Sequence, residues 1–371
     1  VEVVEASVGE GAVAREALEV RTTITPALQR AAEAAVRDGM AEVLAQNPKL
    51  EGVQAALVAV RAKDGAIVAL VGGRDYGASL WDRAYGAERQ IGSTVKPLTL
   101  LAAMEADPAL SPATLLDDAP IERVHDGKTW TPANYDGVFV GPVSVRKAIA
   151  SSRNIPAIHL AERVGMGALK KRFRALGLDA ATDYPSAALG GFGATPVDLA
   201  GAYAVFASGG AFHEPWLVRA ASDPNGDLRV DTPPTKATVR YSERATFLAA
   251  DTLREVLRTG TGKAAAKYGV GPGAAGKSGT TDNYKDAWFV GVSGPYAVAV
   301  WVGFDRGKAV GLTGGQAALP TWARFVAATG TSATVPDAPS GVEQVDVCVS
   351  TGEPPCPAGC AETRPEWFSS G

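Results

Sequence analysis

The stretch Gln90-Ile91-Gly92-Ser93-Thr94-Val95-Lys96-Pro97-Leu98 places a serine, Ser93, three positions before a lysine, Lys96. Residues at this spacing share one face of a helix, so the lysine amine can reach the serine hydroxyl. Such a pair gives a nucleophile its own base without a histidine. The pattern is weak by itself, because Ser144-Val145-Arg146-Lys147 repeats it in the same chain.

Two later segments distinguish the first copy of this pattern from the second. Ser152-Arg153-Asn154 reads Ser-x-Asn, and Lys277-Ser278-Gly279-Thr280-Thr281 reads Lys-[Ser/Thr]-Gly followed by two threonines. Each segment alone is also compatible with a purely structural role, the first as a helix cap and the second as a polar strand edge. Together and in this order, the three motifs are typical of serine acyltransferases that react with penicillin. Ser144 lies only eight residues before Ser152, too close for a separate helix and a return, so the order selects Ser93.

The flanking residues extend the match over roughly residues 20 to 330. The further segments are Arg83-Ala84-Tyr85, Trp130-Thr131-Pro132-Ala133-Asn134-Tyr135-Asp136-Gly137, Ile155-Pro156-Ala157 and Asp286-Ala287-Trp288-Phe289-Val290-Gly291. With the three motifs, they resemble the transpeptidase domain of bifunctional (class A) penicillin-binding proteins. The resemblance implies an α+β fold of the penicillin-binding-protein and serine β-lactamase type. In that fold a central antiparallel sheet is flanked by helices, and the active site lies between the sheet and a mostly helical lobe.

Local patterns predict the same class. Apolar runs at 55–60 and 67–71 enclose Asp64-Gly65, a strong hairpin signal. A second hairpin is predicted over 216–230, and strand-like runs close the domain at 274–281, 287–292 and 296–304. Helices are predicted to begin at Thr25-Pro26, Ser93, Thr195-Pro196 and Ser242. Strands at both ends with helices between them indicate an α+β domain.

We expect the chain to divide into three parts. Residues 1–50 contain an interdomain linker and the first helix, residues 51–330 the penicillin-binding transpeptidase domain, and residues 331–371 a linker and a cysteine-bearing tail. Residues 1–22 show no clear period, and residues 331–341 are rich in Pro, Ser and Thr. Class A proteins carry a membrane anchor and a glycosyltransferase domain before this region. The resemblance therefore implies an anchored full-length protein with this domain outside the cytoplasm.

Composition excludes several other classes. With 46% hydrophobic and 20% charged residues, the 371-residue chain has the make-up of a soluble globular protein. Its net charge of −4 and lack of a basic block argue against nucleic-acid binding. Cys348, Cys356 and Cys360 allow at most one internal disulfide. Zinc would lack a nearby fourth ligand, so we expect a disulfide or free thiols, and neither a metal nor a cofactor.

The resemblance assigns roles to the motif residues. Ser93 is the expected nucleophile, and its backbone amide would form the oxyanion hole with that of Thr280. Lys96 must be neutral to take the serine proton, and burial with Lys277 nearby would lower its pKa from about 10.4. Ser152 would relay a proton to the leaving amine, and Asn154 would bind the substrate backbone or Lys96.

Other residues are expected to bind substrate. Lys277, Ser278, Gly279, Thr280 and Thr281 would hold the terminal carboxylate of the substrate. Family members usually have threonine at the position of Ser278, and serine keeps the hydroxyl. Trp130 and Tyr135 lie in a Pro/Asn/Gly-rich segment, and they can line the cleft or lie in the core. Trp288 is expected in the core.

The implied reaction is peptidoglycan D,D-transpeptidation, which β-lactams block by acylating Ser93. Expected partners are stem peptides, β-lactams and other cell-wall synthesis proteins. Two alternative functions are a D,D-carboxypeptidase, which shares every motif, and a non-catalytic β-lactam sensor or scaffold. A β-lactamase-like hydrolase is disfavoured, because class A β-lactamases use a glutamate after the Ser-x-Asn segment. Here no glutamate occurs between Glu162 and Glu214, and Glu162 is only eight residues past Asn154.

Overall fold

The centre of the molecule is a five-stranded antiparallel sheet. The structure is a computed structural model, which describes residues 4–5, 8–330, 337–355 and 359–370. In spatial order the strands are Ala275–Thr280, Asp286–Ser293, Tyr296–Gly303, Gln54–Arg61 and Ile67–Val71. The predicted first hairpin and the three closing strands are confirmed, and early and late parts of the chain pair in one sheet. The α+β class is confirmed as well.

Both faces of this sheet are buried, which explains its nearly continuous apolar strands. Successive side chains of a strand point to opposite faces. Leu57 lies in the core formed with the helices Pro26–Gln46 and Leu319–Ala328. Its neighbour Val58 lies in the core of the helical lobe on the other face. Helices on one side and a helical lobe on the other therefore enclose the sheet.

The helical lobe carries most of the motif residues. Its helix Glu243–Arg258 packs against Lys96–Ala106 and against the edge strand Ala275–Thr280. Predicted helix starts are confirmed at Thr195, which forms a capping box with Asp198, and at Ser242, whose side chain accepts from Ala245 N at 3.3 Å. The α-helices of the lobe are Lys96–Ala106, Val145–Ala150, Asn154–Val164, Met166–Arg174, Pro196–Tyr203 and Glu243–Arg258.

Shorter elements complete the fold. The predicted second hairpin is confirmed as Val218–Ser222 and Leu228–Asp231, and Glu19–Thr22 adds a third strand to it. The connector expected over residues 1–22 thus includes ordered structure. The remaining short helices and 3₁₀ turns are Ala12–Arg15, Pro48–Leu50, Arg83–Gly86, Gly92–Val95, Pro185–Leu189, Ala204–Phe206, Lys263–Tyr268, Asp282–Tyr284 and Gly314–Ala317. Two-residue and three-residue strands pair as Arg89–Gln90 with Gly193–Ala194, Leu115–Leu116 with Val143–Ser144, Arg123–His125 with Lys128–Trp130, and Ala211–Phe212 with Thr238–Val239.

The C-terminal tail forms a hairpin that packs against the lobe. Its strands are Val342–Cys348 and Thr363–Ser369, and a disulfide joins Cys348 to Cys360. Cys356 and residues 331–336 of the predicted linker lie outside the described residues. The buried guanidinium of Arg146 bonds to the carboxylates of Glu366 in the hairpin and Asp251 in the lobe. No helix in the described ranges is long and apolar enough to cross a membrane. The division of the chain at residues 50 and 330 stays a prediction.

Candidate active site

Ser93 lies in a tight turn, Gly92–Val95, that packs against the edge strand Ala275–Thr280. Gly92 has φ +53°, and a Cβ atom there would lie 2.8 Å from the carbonyl oxygen of Thr280. Glycine therefore allows both the positive φ and the close approach. The turn brings Ser93 beside Thr280, the two residues predicted to form the oxyanion hole.

The side chain of Lys96 is fully buried and points toward the Ser-x-Asn segment. Its Nζ donates to the carbonyl oxygen of Ser152 and to Oδ1 of Asn154, each at 2.6 Å, and lies 3.4 Å from Ser152 Oγ. In the part of the chain that the structure describes, no hydrogen bond joins Lys96 Nζ to the Ser93 hydroxyl. The direct contact expected from their spacing is therefore missing, because two other oxygens hold the amine.

The surroundings of Lys96 favour its neutral form. Burial is the main reason that its pKa lies well below the ordinary lysine value, and the positive charges of Lys277 and Arg153 lower it further. The negative charge of Asp118 opposes this shift. A neutral amine has two hydrogens, which the two close oxygens accept. Its lone pair is then free to take a proton.

Lys277 lies on the other side of Ser152. Its Nζ donates to Ser152 Oγ at 2.8 Å and to the carbonyl oxygen of Ser278 at 3.0 Å. Complete burial lowers the pKa of Lys277 to about 7. Ser152 has φ +59°, an unfavourable conformation for a residue other than glycine. With Lys96 Nζ at 3.4 Å and Lys277 Nζ at 2.8 Å, the Ser152 hydroxyl lies between the two lysine amines.

An open cleft of about 590 Å³ is lined by Ser152 and Asn154, which contact the two lysine amines, but not by Lys96 or Lys277 themselves. It brings together the predicted residues Ser93, Tyr135, Ser152, Asn154, Ser278, Thr280 and Thr281. Thr261, which the motifs did not reveal, accepts a hydrogen bond from Ser278 Oγ at 2.7 Å. The other residues that line the cleft are Ala133, Ser151, Leu189, Thr261, Asp282, Asn283, Tyr284, Thr313 and Gly315.

Two tyrosines meet at the cleft. Tyr135 is 67% exposed, its hydroxyl bonds to that of Tyr284, and the two ring centroids lie 5.8 Å apart. This bond raises the pKa of Tyr135. Tyr135 therefore lines the cleft rather than the core. Its neighbour Tyr284 belongs to none of the motifs.

Trp130 does not line this cleft but is partly buried against the core, and its assignment as a substrate-binding residue stays a prediction. It ends the short strand Lys128–Trp130 and lines a separate depression of about 200 Å³ with His125 and Tyr184. The turn of the Pro/Asn/Gly-rich segment lies at Asn134–Gly137, where the Gly137 N–H donates to Asn134 O at 2.9 Å, so it includes Tyr135 but not Trp130. Trp288 is buried in the core as predicted, and its Nε1 donates to Gln90 O at 2.9 Å.

The second Ser-x-x-Lys copy has a structural role. Ser144 caps the helix Val145–Ala150, and its hydroxyl accepts from the backbone N–H of Lys147 at 3.3 Å. Neither Ser144 nor Lys147 lines the cleft. Within the described ranges, no group of three His, Cys, Asp or Glu side chains is arranged to hold a metal ion.

Residues 55–318 match the family model of the penicillin binding protein transpeptidase domain. The chain belongs to this transpeptidase family. Penicillin-binding protein 1A of Neisseria flavescens is 36% identical over 311 residues, which cover 80% of this chain and 38% of the relative. The resemblance inferred from the motifs is thereby confirmed.

Solved structures of penicillin-binding proteins share the fold. Penicillin-binding protein 1A of Haemophilus influenzae superposes with a TM-score of 0.87 at 22% identity, covering 100% of this transpeptidase chain and 75% of that one. PonA1 of Mycobacterium tuberculosis, solved with penicillin V, gives a TM-score of 0.74 at 25% identity and covers 91% and 96% of the two chains. The chain spans less than two fifths of the length of the curated relatives it matches.

Proposed function

We propose that the chain catalyses the D,D-transpeptidation step of peptidoglycan cross-linking through an acyl-enzyme on Ser93. The observation that carries this proposal is a cleft lined by Ser93 and Ser152, with the Ser152 hydroxyl between the amines of two buried lysines, Lys96 and Lys277. Membership of the transpeptidase family and the penicillin V bound by PonA1 support it.

Acylation begins when Ser93 Oγ bonds to the carbonyl carbon of the penultimate D-alanine of a stem peptide. The backbone amides of Ser93 and Thr280 stabilise the oxyanion, and each such donor is worth about 10²–10³ in rate. The bond from that carbon to the terminal D-alanine nitrogen then breaks. An amine of a neighbouring stem attacks the ester, forms the cross-link and releases Ser93. A β-lactam acylates Ser93 too, but its leaving nitrogen stays tethered.

Proton transfer uses the two lysines and the serine between them. Neutral Lys96 accepts the proton of Ser93 as the hydroxyl attacks, because its lone pair is free while its hydrogens bond to Ser152 O and Asn154 Oδ1. Ser152 Oγ lies 3.4 Å from Lys96 Nζ and can pass that proton to the leaving amine. Hydrogen bonds of this kind often tighten only when substrate binds.

The strand Ala275–Thr280 supplies the groups that bind the substrate's terminal carboxylate. Thr280 Oγ1 accepts from the Gly314 backbone N–H at 3.1 Å, which leaves its own hydrogen free to donate to a carboxylate. Lys277 adds positive charge when it is protonated. The Ser278 hydroxyl donates to Thr261 and the Thr281 hydroxyl faces Asp286, so each must rotate before it can donate to the carboxylate. Gly279 lets this strand approach the Ser93 turn.

The cleft favours transfer to an amine over rapid hydrolysis. Among the described residues that line it, Asp282 is the acidic side chain, and no glutamate is present. The carboxylate of Glu162 bonds to Arg123 at 2.5 Å and does not line the cleft. Water therefore lacks the glutamate base that class A β-lactamases supply.

The proposed location is outside the cytoplasm. The Cys348–Cys360 disulfide supports it, because disulfides persist in oxidising compartments. The proposed partners are peptidoglycan stem peptides, β-lactams and other cell-wall synthesis proteins.

A partition experiment tests the proposed activity. The protein is incubated with a stem-peptide donor that ends in D-Ala-D-Ala, with and without an amine acceptor, and cross-linked and hydrolysed products are counted by mass spectrometry. We expect the acceptor to divert most of the acyl group into cross-linked product, and Ser93→Ala to release no D-alanine. Hydrolysis that ignores the acceptor would favour a carboxypeptidase, and no turnover despite penicillin labelling would favour a sensor.

A further inference from the structure

A buried carboxylate outside the three motifs lies behind the cleft. Asp118 is fully buried, and its Oδ1 accepts from Asn134 Nδ2 at 2.6 Å. Its Oδ2 lies 3.3 Å from the Val140 backbone nitrogen and 3.6 Å from Arg153 Nε. Burial of a charge is costly unless hydrogen bonds and an opposite charge compensate for it. Two of these partners, Asn134 and Arg153, lie between residues that line the cleft.

Asp118 fixes the orientation of the Asn134 amide. An ionised carboxylate only accepts hydrogen bonds, so Asn134 must turn its NH₂ group toward it. The second hydrogen of that group donates to Val138 O at 2.9 Å. Asn134 Oδ1 is therefore left to accept from the backbone N–H of Asn154 at 2.7 Å. This N–H is at the start of a helix, where backbone donors lack intrahelical partners.

The same logic extends to Lys96. Asn154 Nδ2 donates to the carbonyl oxygen of Ala133, next to Asn134, at 2.7 Å. Its Oδ1 therefore faces Lys96 Nζ, at 2.6 Å. A reversed Asn154 amide would point hydrogens at the amine and leave Lys96 without this acceptor.

We propose that Asp118 is a positioning residue for Lys96, acting through Asn134 and Asn154. The inference rests on the proposed function, in which Lys96 is the base. Asp118 does not line the cleft and touches no reacting atom. It holds the acceptor that engages one Lys96 hydrogen, so that the lone pair of the amine stays directed away from Asn154.

The test compares Asp118→Asn with Asp117→Asn, a matched control that removes the same charge from the exposed neighbouring position. The first-order acylation rate at saturating penicillin and the apparent dissociation constant are measured separately, with thermal unfolding as a check on folding. We expect Asp118→Asn to lower the acylation rate about 10-fold to 100-fold, with the dissociation constant changed less than about threefold. Asp117→Asn is expected to match the wild type.

A second variant separates the amide relay from the charge and decides the question if Asp118→Asn does not fold. Asn134→Ala keeps the Asp118 carboxylate but breaks the relay, so it should lower the acylation rate by a similar factor. Because the charge of Asp118 raises the pKa of Lys96 against burial, Lys277 and Arg153, the acid limb of the pH–rate profile should move to lower pH in Asp118→Asn. It should stay in place in Asn134→Ala.

The outcomes are distinguishable from failure of the proposed function. Acylation rates of Asp118→Asn and Asn134→Ala within about twofold of Asp117→Asn would overturn the inference while the wild type still reacts with penicillin. Rapid wild-type acylation with slow, folded relay variants would support it. A wild-type protein that takes up no penicillin would overturn the proposed function itself.

Discussion

Replacing Lys277 with methionine should stabilise the protein at neutral pH while impairing its chemistry. Lys277 is fully buried, and its pKa is lowered from the ordinary 10.5 to about 7. Between these two pH values the unfolded chain binds a proton that the folded chain does not. The free energy of unfolding therefore rises with pH through this window, and the stability penalty of Lys277 is complete below about pH 7.

The size of the effect follows from the two pKa values. Each pH unit in the window changes the free energy of unfolding by about 1.4 kcal/mol, or about 5 kcal/mol over the whole window. Methionine removes this dependence but also loses the hydrogen bonds to Ser152 Oγ and Ser278 O, which cost about 1 kcal/mol each. We expect Lys277→Met to be more stable than wild type by about 3 kcal/mol at pH 7, and this gain should nearly vanish by about pH 9.

Urea unfolding at several pH values measures this difference. Groups that titrate alike in both proteins cancel when the variant is compared with wild type. Loss of the Lys277 charge also raises the pKa of Lys96 toward its ordinary value. This change reduces the cost of burying Lys96, so it also stabilises the variant relative to wild type. Lys285→Met, at an exposed position beside the same strands, is the matched control and should show no such slope. A stability difference for Lys277→Met that stays constant between about pH 7 and 9 would refute the reasoning.

Three further predictions concern packing and the tail. In Gly279→Ala the new Cβ would lie 2.6 Å from Thr94 Cγ2, so the Ser93 turn must move and penicillin acylation should slow about 100-fold. Arg146→Met removes the cation that bonds to the buried Glu366 carboxylate and leaves it only Arg364, at 3.4 Å, which should cost about 3 kcal/mol in urea unfolding. Reducing the disulfide of Cys348, which closes a loop with a sequence separation of 12, should cost about 3 kcal/mol with the acylation rate unchanged.

The two substitutions have matched controls. Gly271→Ala places a methyl group in open space and should acylate like wild type; equal rates for both alanine variants would contradict the packing argument. Arg37→Met removes an exposed arginine and should leave stability within about 0.5 kcal/mol. The prediction for Arg146→Met fails if the two methionine variants unfold alike. Slower acylation after reduction would show that the tail influences the cleft.

The sheet was predictable because its signals are local. Strands buried on both faces leave long apolar runs, and Asp64-Gly65 marks the turn between two of them. The order of the three motifs predicts one shared site, and residues of all three line the same cleft. Their detailed contacts are set by long-range packing, which is why Lys96 bonds to the Ser-x-Asn segment rather than to Ser93.

Residues without a motif could not be found from the sequence. Asp118 and Asn134 are ordinary polar residues until the fold buries them together behind Lys96. A loop-like composition favours a cleft position for Trp130, but composition does not show which side of the molecule a side chain faces. The ion pair of Arg146 with Glu366 joins residues 220 positions apart, so no local sequence pattern predicts that the tail packs against the lobe.

The most direct test of the central claim is the site of penicillin acylation. The protein is incubated with benzylpenicillin, and its intact mass and its peptides are read by mass spectrometry. The account predicts one added penicilloyl group per chain, located on Ser93, retained in Ser144→Ala and lost in a folded Ser93→Ala variant. No adduct on the wild type, or an adduct that survives Ser93→Ala, would contradict it.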